Sequence, residues 1–328
     1  MSAPSSFNGI FLVDKPAGMT SHDVVDELRQ LCRTRRVGHA GTLDPIADGL
    51  LILMAGEATK LSEYLQSTDK QYEGAMRLGF VSDTYDSDGN VQPGPGGRIP
   101  SLEALQEIAD DLTGTVKQVP PPFSAKKVAG KKLYEYARAG KLVEVEAREV
   151  EVHDFELMEM EGDTLEFGVE CSSGTYVRGL VHELGQRAGC GAVLTALRRT
   201  VVGPFDVENA HTLHDLRAHA DNLEALHNCI IPMRDALPQF PAGFLTPGAE
   251  HWLRHGQAVP LQLVEVAAGE RLQRGGLVVL CRVMGDAVAL ARLDPAPLSP
   301  PPKALAGHAG PWLQPIKLFD TAEAEAPG

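Results

Sequence analysis

The chain has 328 residues, 43% of them hydrophobic, which is enough for a large core and about two domains at ~150 residues each. Thirty basic against 44 acidic residues leave a net charge of -14, which tells against a uniformly basic nucleic-acid binder, and no run approaches the ~18 consecutive apolar residues of a membrane span. Five scattered cysteines, odd in number and without a CxxC pair, tell against a disulfide framework and a zinc site and predict reduced, structural thiols.

The first apolar stretch, Phe7 to Val13, contains Asn8 and Gly9 and ends at Asp14 and Lys15. Without a basic leader it does not read as a signal peptide, and a cytoplasmic protein is expected. Thr20 with Asp23 forms a capping signal, and Val24, Val25, Leu28 and Leu31 recur on one face, so a helix is predicted from about Ser21 to Leu31. Leu50 to Met54 is a continuous apolar run that reads as a buried strand. After Pro100, the spacing of Leu102, Leu105, Ile108, Ala109 and Leu112 predicts an amphipathic helix ended by Gly114. Leu165, Phe167, Val169 and Cys171 alternate with polar or small residues as in a half-buried strand. Val177, Leu180, Val181, Leu184 and Ala188 then take helical spacing, which puts Tyr176 and Arg178 at a helix start just after an SSGT turn.

A Pro- and Gly-rich stretch from Leu237 to Gly248 reads as a domain boundary. Beyond it, Leu277 to Met284 and Ala287 to Leu293, joined at Gly285 and Asp286, predict a hairpin in a small all-β module. Residues 320–328 read as a disordered tail. Charge is segregated along the chain: four arginines and no acid from Arg29 to Arg36, six basic residues against Glu135 from Lys126 to Lys141, and nine acids without Lys or Arg from Glu149 to Glu170. A positive face for phosphates is therefore compatible with the negative total, although each basic cluster alone also fits a solvated surface.

One short segment carries chemistry. Between Gly38 and Gly49, Asp44 stands among small, turn-forming and apolar neighbours, and Pro45 biases it away from helical geometry. An Asp before Pro is by itself a common turn initiator. The full string GHAGTLDPIADGLLIL, however, closely resembles the signature of the bacterial TruB family of pseudouridine synthases. The resemblance extends over most of the first 240 residues, through DKPAGMTSHDVV, KQYEG, PPPFSAKKVAGKKLYEYARAG, CSSGTYVRGL and the LRR at Leu197 to Arg199. Phe123 departs from it, standing where many members have Tyr.

The resemblance implies an α+β catalytic fold with a mixed sheet and flanking helices over residues 1–240, including an RNA-gripping insertion at about 124–150. It also implies a small β-rich PUA-like RNA-binding domain over 245–319. The implied reaction is isomerisation of uridine to pseudouridine at position 55 in the T-loop of tRNA, with Asp44 as nucleophile, Arg178 as its ion-pair partner and Tyr72 stacking on the base or moving a proton. Tyr176 and Leu197 would enclose the base, and His39 would contact the space it vacates on flipping. Lys126, Lys127, Lys131 and Lys132 would hold RNA phosphates. No cofactor, metal, guide RNA or membrane is expected, and the chain is expected to act as a monomer.

A different function class also fits these residues, namely a non-catalytic tRNA-binding or RNA-folding protein that uses the same pocket. A phosphate-binding hydrolase ranks last, because the Gly-rich loop lacks the Lys and Ser/Thr of a P-loop. Asp86, Asp88 and Gly89 superficially resemble a calcium loop, but the register puts Thr84 at its first ligand position and Pro95 at its twelfth.

Overall fold

The computed structural model describes residues 7–319 except 125, 129, 142, 144, 247 and 284; the expected tail at 320–328 lies outside the described residues. Its main elements are β1 (Gly9–Lys15), α1 (Ser21–Leu31), β2 (Val37–His39), β3 (Ala47–Ala55), β4 (Lys70–Leu78), α2 (Leu102–Asp110), β5 (Gly114–Gln118), β6 (Arg148–Glu161), β7 (Thr164–Cys171), α3 (Val177–Arg187), β8 (Ala192–Val202) and β9 (His211–Thr212). These strands form a mixed sheet in the order β9-β1-β3-β8-β4-β7-β6-β5, with β2 on β3 and two short strands alongside. The chain then builds a second sheet from β10 (Ala242–Leu245), β11 (Val259–Pro260), β12 (Val264–Val266), β13 (Leu277–Cys281), β14 (Ala287–Asp294) and β15 (Trp312–Leu318), in the order β11-β15-β14-β13-β10-β12. No helix among the described residues is long and apolar enough to cross a membrane.

Local chemistry explains the boundaries. The Thr20 side chain accepts from the Asp23 amide while Asp23 accepts from the Thr20 amide, so both ends of a capping box start α1 where the sequence places it. Ser101 caps α2 in the simpler way. The predicted hairpin is present, but β13 stops at Cys281, with Arg282 bonded through its amide to Asp286, so the connection is longer than two residues. Met284, expected at the end of that strand, lies outside the described residues.

β3 explains the continuous apolar run, because it is buried on both faces. Leu51, Leu53 and Ala55 join the core under α1, α2 and α3, whereas Leu50, Ile52 and Met54 join a second core on the opposite face. That second core also contains Val279, Cys281, Ala287 and Leu290 of the other sheet. Each fully buried Leu or Ile contributes ~1.5–3 kcal/mol, so the two sheets are fastened by one shared apolar layer. All five cysteines are buried and free; burial pushes the Cys32 and Cys281 thiols up to about 12 and Cys171 to about 11, which makes them packing groups.

Leu290→Ala is expected to cost ~2–5 kcal/mol in a denaturant titration, through the cavity it leaves. Because the layer is shared, both sheets should unfold in one transition; separate melting of the second sheet would contradict it.

Candidate active site

The loop between β2 and β3 is held rigid from three directions. Ser21, in the first turn of α1, grips Leu43 at both ends: its Oγ accepts from the Leu43 amide at 2.8 Å and donates to the Leu43 carbonyl at 3.0 Å. The Gly18 amide donates to the Pro45 carbonyl at 2.7 Å. From below, Arg199 of β8, only 1% exposed, donates to the carbonyls of Leu50 at 2.7 Å, Gly41 at 3.2 Å and Thr42 at 3.5 Å. Two glycines make this possible. Gly41 has φ +94°, and at Gly49, with φ +93°, a Cβ would stand 2.3 Å from the Arg199 carbonyl oxygen.

At the crest of this loop, Asp44 Oδ2 accepts from Arg178 Nε at 2.8 Å. The Arg178 side chain is 4% exposed and that of Asp44 40%, so the cation is fixed in the protein while the carboxylate faces the opening. All three of its nitrogens are engaged: Nη1 donates to the Thr84 carbonyl at 2.9 Å and Nη2 to the Phe123 carbonyl at 2.8 Å. Asp44 Oδ1 makes no hydrogen bond among the described residues and is free to react. Buried Asp86 places a second carboxylate oxygen 3.8 Å from Arg178 Nε. Burial pushes its carboxyl above the ordinary range, against the pull of the Thr84 hydroxyl, which donates to it at 2.5 Å.

Asp44 opens into a cavity of about 420 Å³, a size suited to a small organic group. Tyr72 from β4, Tyr176 from the start of α3 and Leu197 from β8 line it, with Lys70, Lys126, Arg148 and Arg199. Strand register makes the grouping: Leu197 pairs with Ala47 on one side and Gly74 on the other, and Arg199 pairs with Tyr72. Burial pushes the Tyr72 phenol above its ordinary range, while the positive charge of Arg199 opposes the shift. Burial also lowers Lys70 to about 8, and its ammonium donates to the Gln66 carbonyl at 3.0 Å. Tyr176 caps α3 without a capping side chain of its own. Gln118 of β5 acts there instead, accepting from the Tyr176 amide at 2.7 Å and donating to its carbonyl at 2.9 Å.

The structure therefore brings Asp44, Tyr72, Tyr176, Arg178, Leu197 and Lys126 to one cavity. His39 does not line it; it ends β2 opposite Leu53. Lys131 is exposed on the short hairpin of Lys127–Val128 and Lys131–Lys132, while the side chains of Lys127 and Lys132 lie outside the described set. Sequence reasoning missed Ser21, Gln118 and Arg148. A polar residue at a strand or helix end carries no sign of what it will face. Among the described residues, no three His, Cys, Asp or Glu side chains gather as a metal site.

Residues 29–177 match the family model described as TruB family pseudouridylate synthase (N terminal domain). Residues 178–238 match the tRNA pseudouridylate synthase B C-terminal domain. The tRNA pseudouridine synthase B of Azoarcus sp. (strain BH72) is 44% identical over 261 residues, 80% of this chain and 81% of that protein. That of Stutzerimonas stutzeri (strain A1501) is 42% identical over 254 residues, 77% of this chain and 83% of its own length. Among solved structures, a chain of a Cbf5-Nop10-Gar1 complex superposes with a TM-score of 0.69 at 27% identity, covering 95% of this chain and 84% of the other.

Ser21→Ala leaves the buried Leu43 amide without a partner and is expected to cost ~1–3 kcal/mol of stability by chemical denaturation. Hydrogen exchange at the Leu43 amide should accelerate. An unchanged exchange rate would show that the loop is held without this hydroxyl.

Proposed function

This chain belongs to the TruB family of pseudouridylate synthases and isomerises uridine to pseudouridine in tRNA, and we propose that the uridine converted is the one at position 55 of the T-loop, with Asp44 as the nucleophile. The observation that carries this reading is the Asp44–Arg178 pair, in which one carboxylate oxygen is fixed by a buried guanidinium and the other is left open toward the cavity. Five cations, Lys70, Lys126, Arg148, Arg178 and Arg199, line that cavity with Asp44 as its carboxylate. This local charge suits an RNA substrate in a protein of net charge -14.

A uridine stacked in an RNA fold cannot reach such a cavity, so the nucleotide must swing out, at a cost of a few kcal/mol. With the base between Tyr72, Tyr176 and Leu197, Asp44 adds to carbon 6 of the ring or to the anomeric carbon of the sugar. The N1 to C1′ bond breaks, the base rotates, and a C5 to C1′ bond forms. The proton lost from C5 balances the one gained at N1. The exchange is redox-neutral, so it requires no hydride or electron carrier. Tyr72 keeps its phenolic proton near neutral pH, because burial raises it, and can stack on the base while passing that proton.

In this reading the chain acts as a monomer without a guide RNA. The insertion carrying Lys126, Lys127, Lys131 and Lys132 would grip the RNA backbone, His39 would enter the space the base leaves, and the sheet of residues 242–318 would serve as the PUA-like RNA-binding domain beside a catalytic domain of residues 1–240. A tRNA substrate fits a cytoplasmic location.

Asp44→Asn is expected to abolish pseudouridine formation in an unmodified tRNA transcript, mapped at nucleotide resolution, while leaving tRNA binding. Retained turnover would remove the nucleophile assignment, and the same comparison separates an enzyme from a pure binder. Tyr72→Phe keeps the stacking surface; if the hydroxyl moves a proton, kcat should fall ~10²–10⁴-fold with little change in Kd. Replacing Lys131 and Lys132 together by Glu should weaken tRNA binding and flatten its dependence on salt.

A further inference from the structure

Arg148 is a cation of the cavity that the chemistry above does not use. It opens β6 opposite Gln118 of β5, and its guanidinium lies over the Tyr176 ring, 5.1 Å from the centroid. Gly174 leaves room for it: a Cβ there would stand 2.8 Å from Nη1 and 2.9 Å from Nη2. Arg178 approaches the same ring at 6.0 Å, so the tyrosine stands close to two guanidinium groups.

Their partners differ. Arg178 is held by Asp44 and two carbonyls, and Arg199 by three carbonyls. Arg148 has no ion pair and no hydrogen bond among the described residues, and its Nε is shut off from solvent without a partner. Glu146 and Glu149, two sequence positions or fewer away, are exposed and do not pair with it. A buried donor left unsatisfied on a charged group is costly, and such a site calls for a ligand.

The chemistry of that ligand follows from the fork itself. A planar guanidinium with free N–H groups matches a phosphate bidentately, and a ring beneath it fixes its plane. A nucleotide whose base fills the slot beside Tyr176 brings its phosphates against the same wall, which Arg148 and Lys126 also line. We propose that Arg148 is the phosphate clamp of the flipped nucleotide, binding a phosphodiester that adjoins the target uridine. This rests on the RNA-modifying reading above and assigns it one residue and one chemical group.

The test uses the full-length protein with Asp44→Asn, so that binding is read without turnover, and an unmodified T-arm stem-loop RNA. Arg148→Gln should raise Kd ~10-fold or more and reduce the slope of log K against log salt by ~1, while Arg148→Lys, keeping a point charge, should recover part of the affinity. On RNA carrying one neutral methylphosphonate in place of a phosphate flanking the uridine, Arg148→Gln should have no further effect. On RNA neutralised far from the target its effect should persist. An unchanged salt slope, or full additivity of Arg148→Gln with every flanking neutral linkage, would overturn the clamp and leave Arg148 as wall. Thermal unfolding of each variant checks folding, and Arg148→Lys with the modified RNAs keeps the test decisive if Arg148→Gln is unstable. Failure of the unsubstituted protein to form pseudouridine would strike the reaction instead, which this binding measurement does not require.

Discussion

The Arg178 guanidinium is the constraint on which the rest of the site depends. It is almost wholly buried, and its three nitrogens reach three distant stretches of chain: the loop of Asp44, the turn at Thr84 and the entry to the insertion at Phe123. Taking such a charge out of water is expensive, and removing either member of a buried pair exposes the full penalty. The two carbonyls are what allow one exposed carboxylate to hold it, since they satisfy the donors that Asp44 cannot. Orientation of the nucleophile and closure of the cavity wall are therefore one event.

Around that group, the molecule separates what must be stiff from what must be charged. Ser21, Gly18 and Arg199 fix the loop through its backbone, and Gln118 fixes the first residue of α3 through its backbone. Of these groups only Arg199 also lines the cavity. The acids of residues 149–170 lie exposed or half-buried along β6 and β7, away from the cavity lining. An acidic total and a cationic cavity coexist because strand alternation sends those carboxylates outward.

Much of this was legible beforehand, and the limits are physical. Hydrophobic spacing and the Thr20 and Asp23 cap placed α1, and the change of period after Cys171 placed α3 with Arg178 in its first turn. The continuous run at Leu50 to Met54 announced a buried strand, and its two-sided burial is the reason it does not alternate. Periodicity records which side of an element is covered and is silent about what covers it. Arg178 alone would pass for a surface helix residue, and Arg148 for an ordinary strand end. Their roles arise where β5, β6 and α3 abut, which depends on register across the whole sheet. The resemblance of motifs supplied Arg178; nothing local supplied Arg148.

The apolar layer between the sheets has a consequence for geometry at long range. Leu50 and Ile52 belong to one buried cluster with Val279 and Leu290, and at the margin Lys317 pairs with Glu63 at 2.8 Å while the Lys60 ammonium donates to the Leu318 carbonyl. Swinging the two sheets apart would wet that layer, so a long molecule lying across both meets a seam that resists opening.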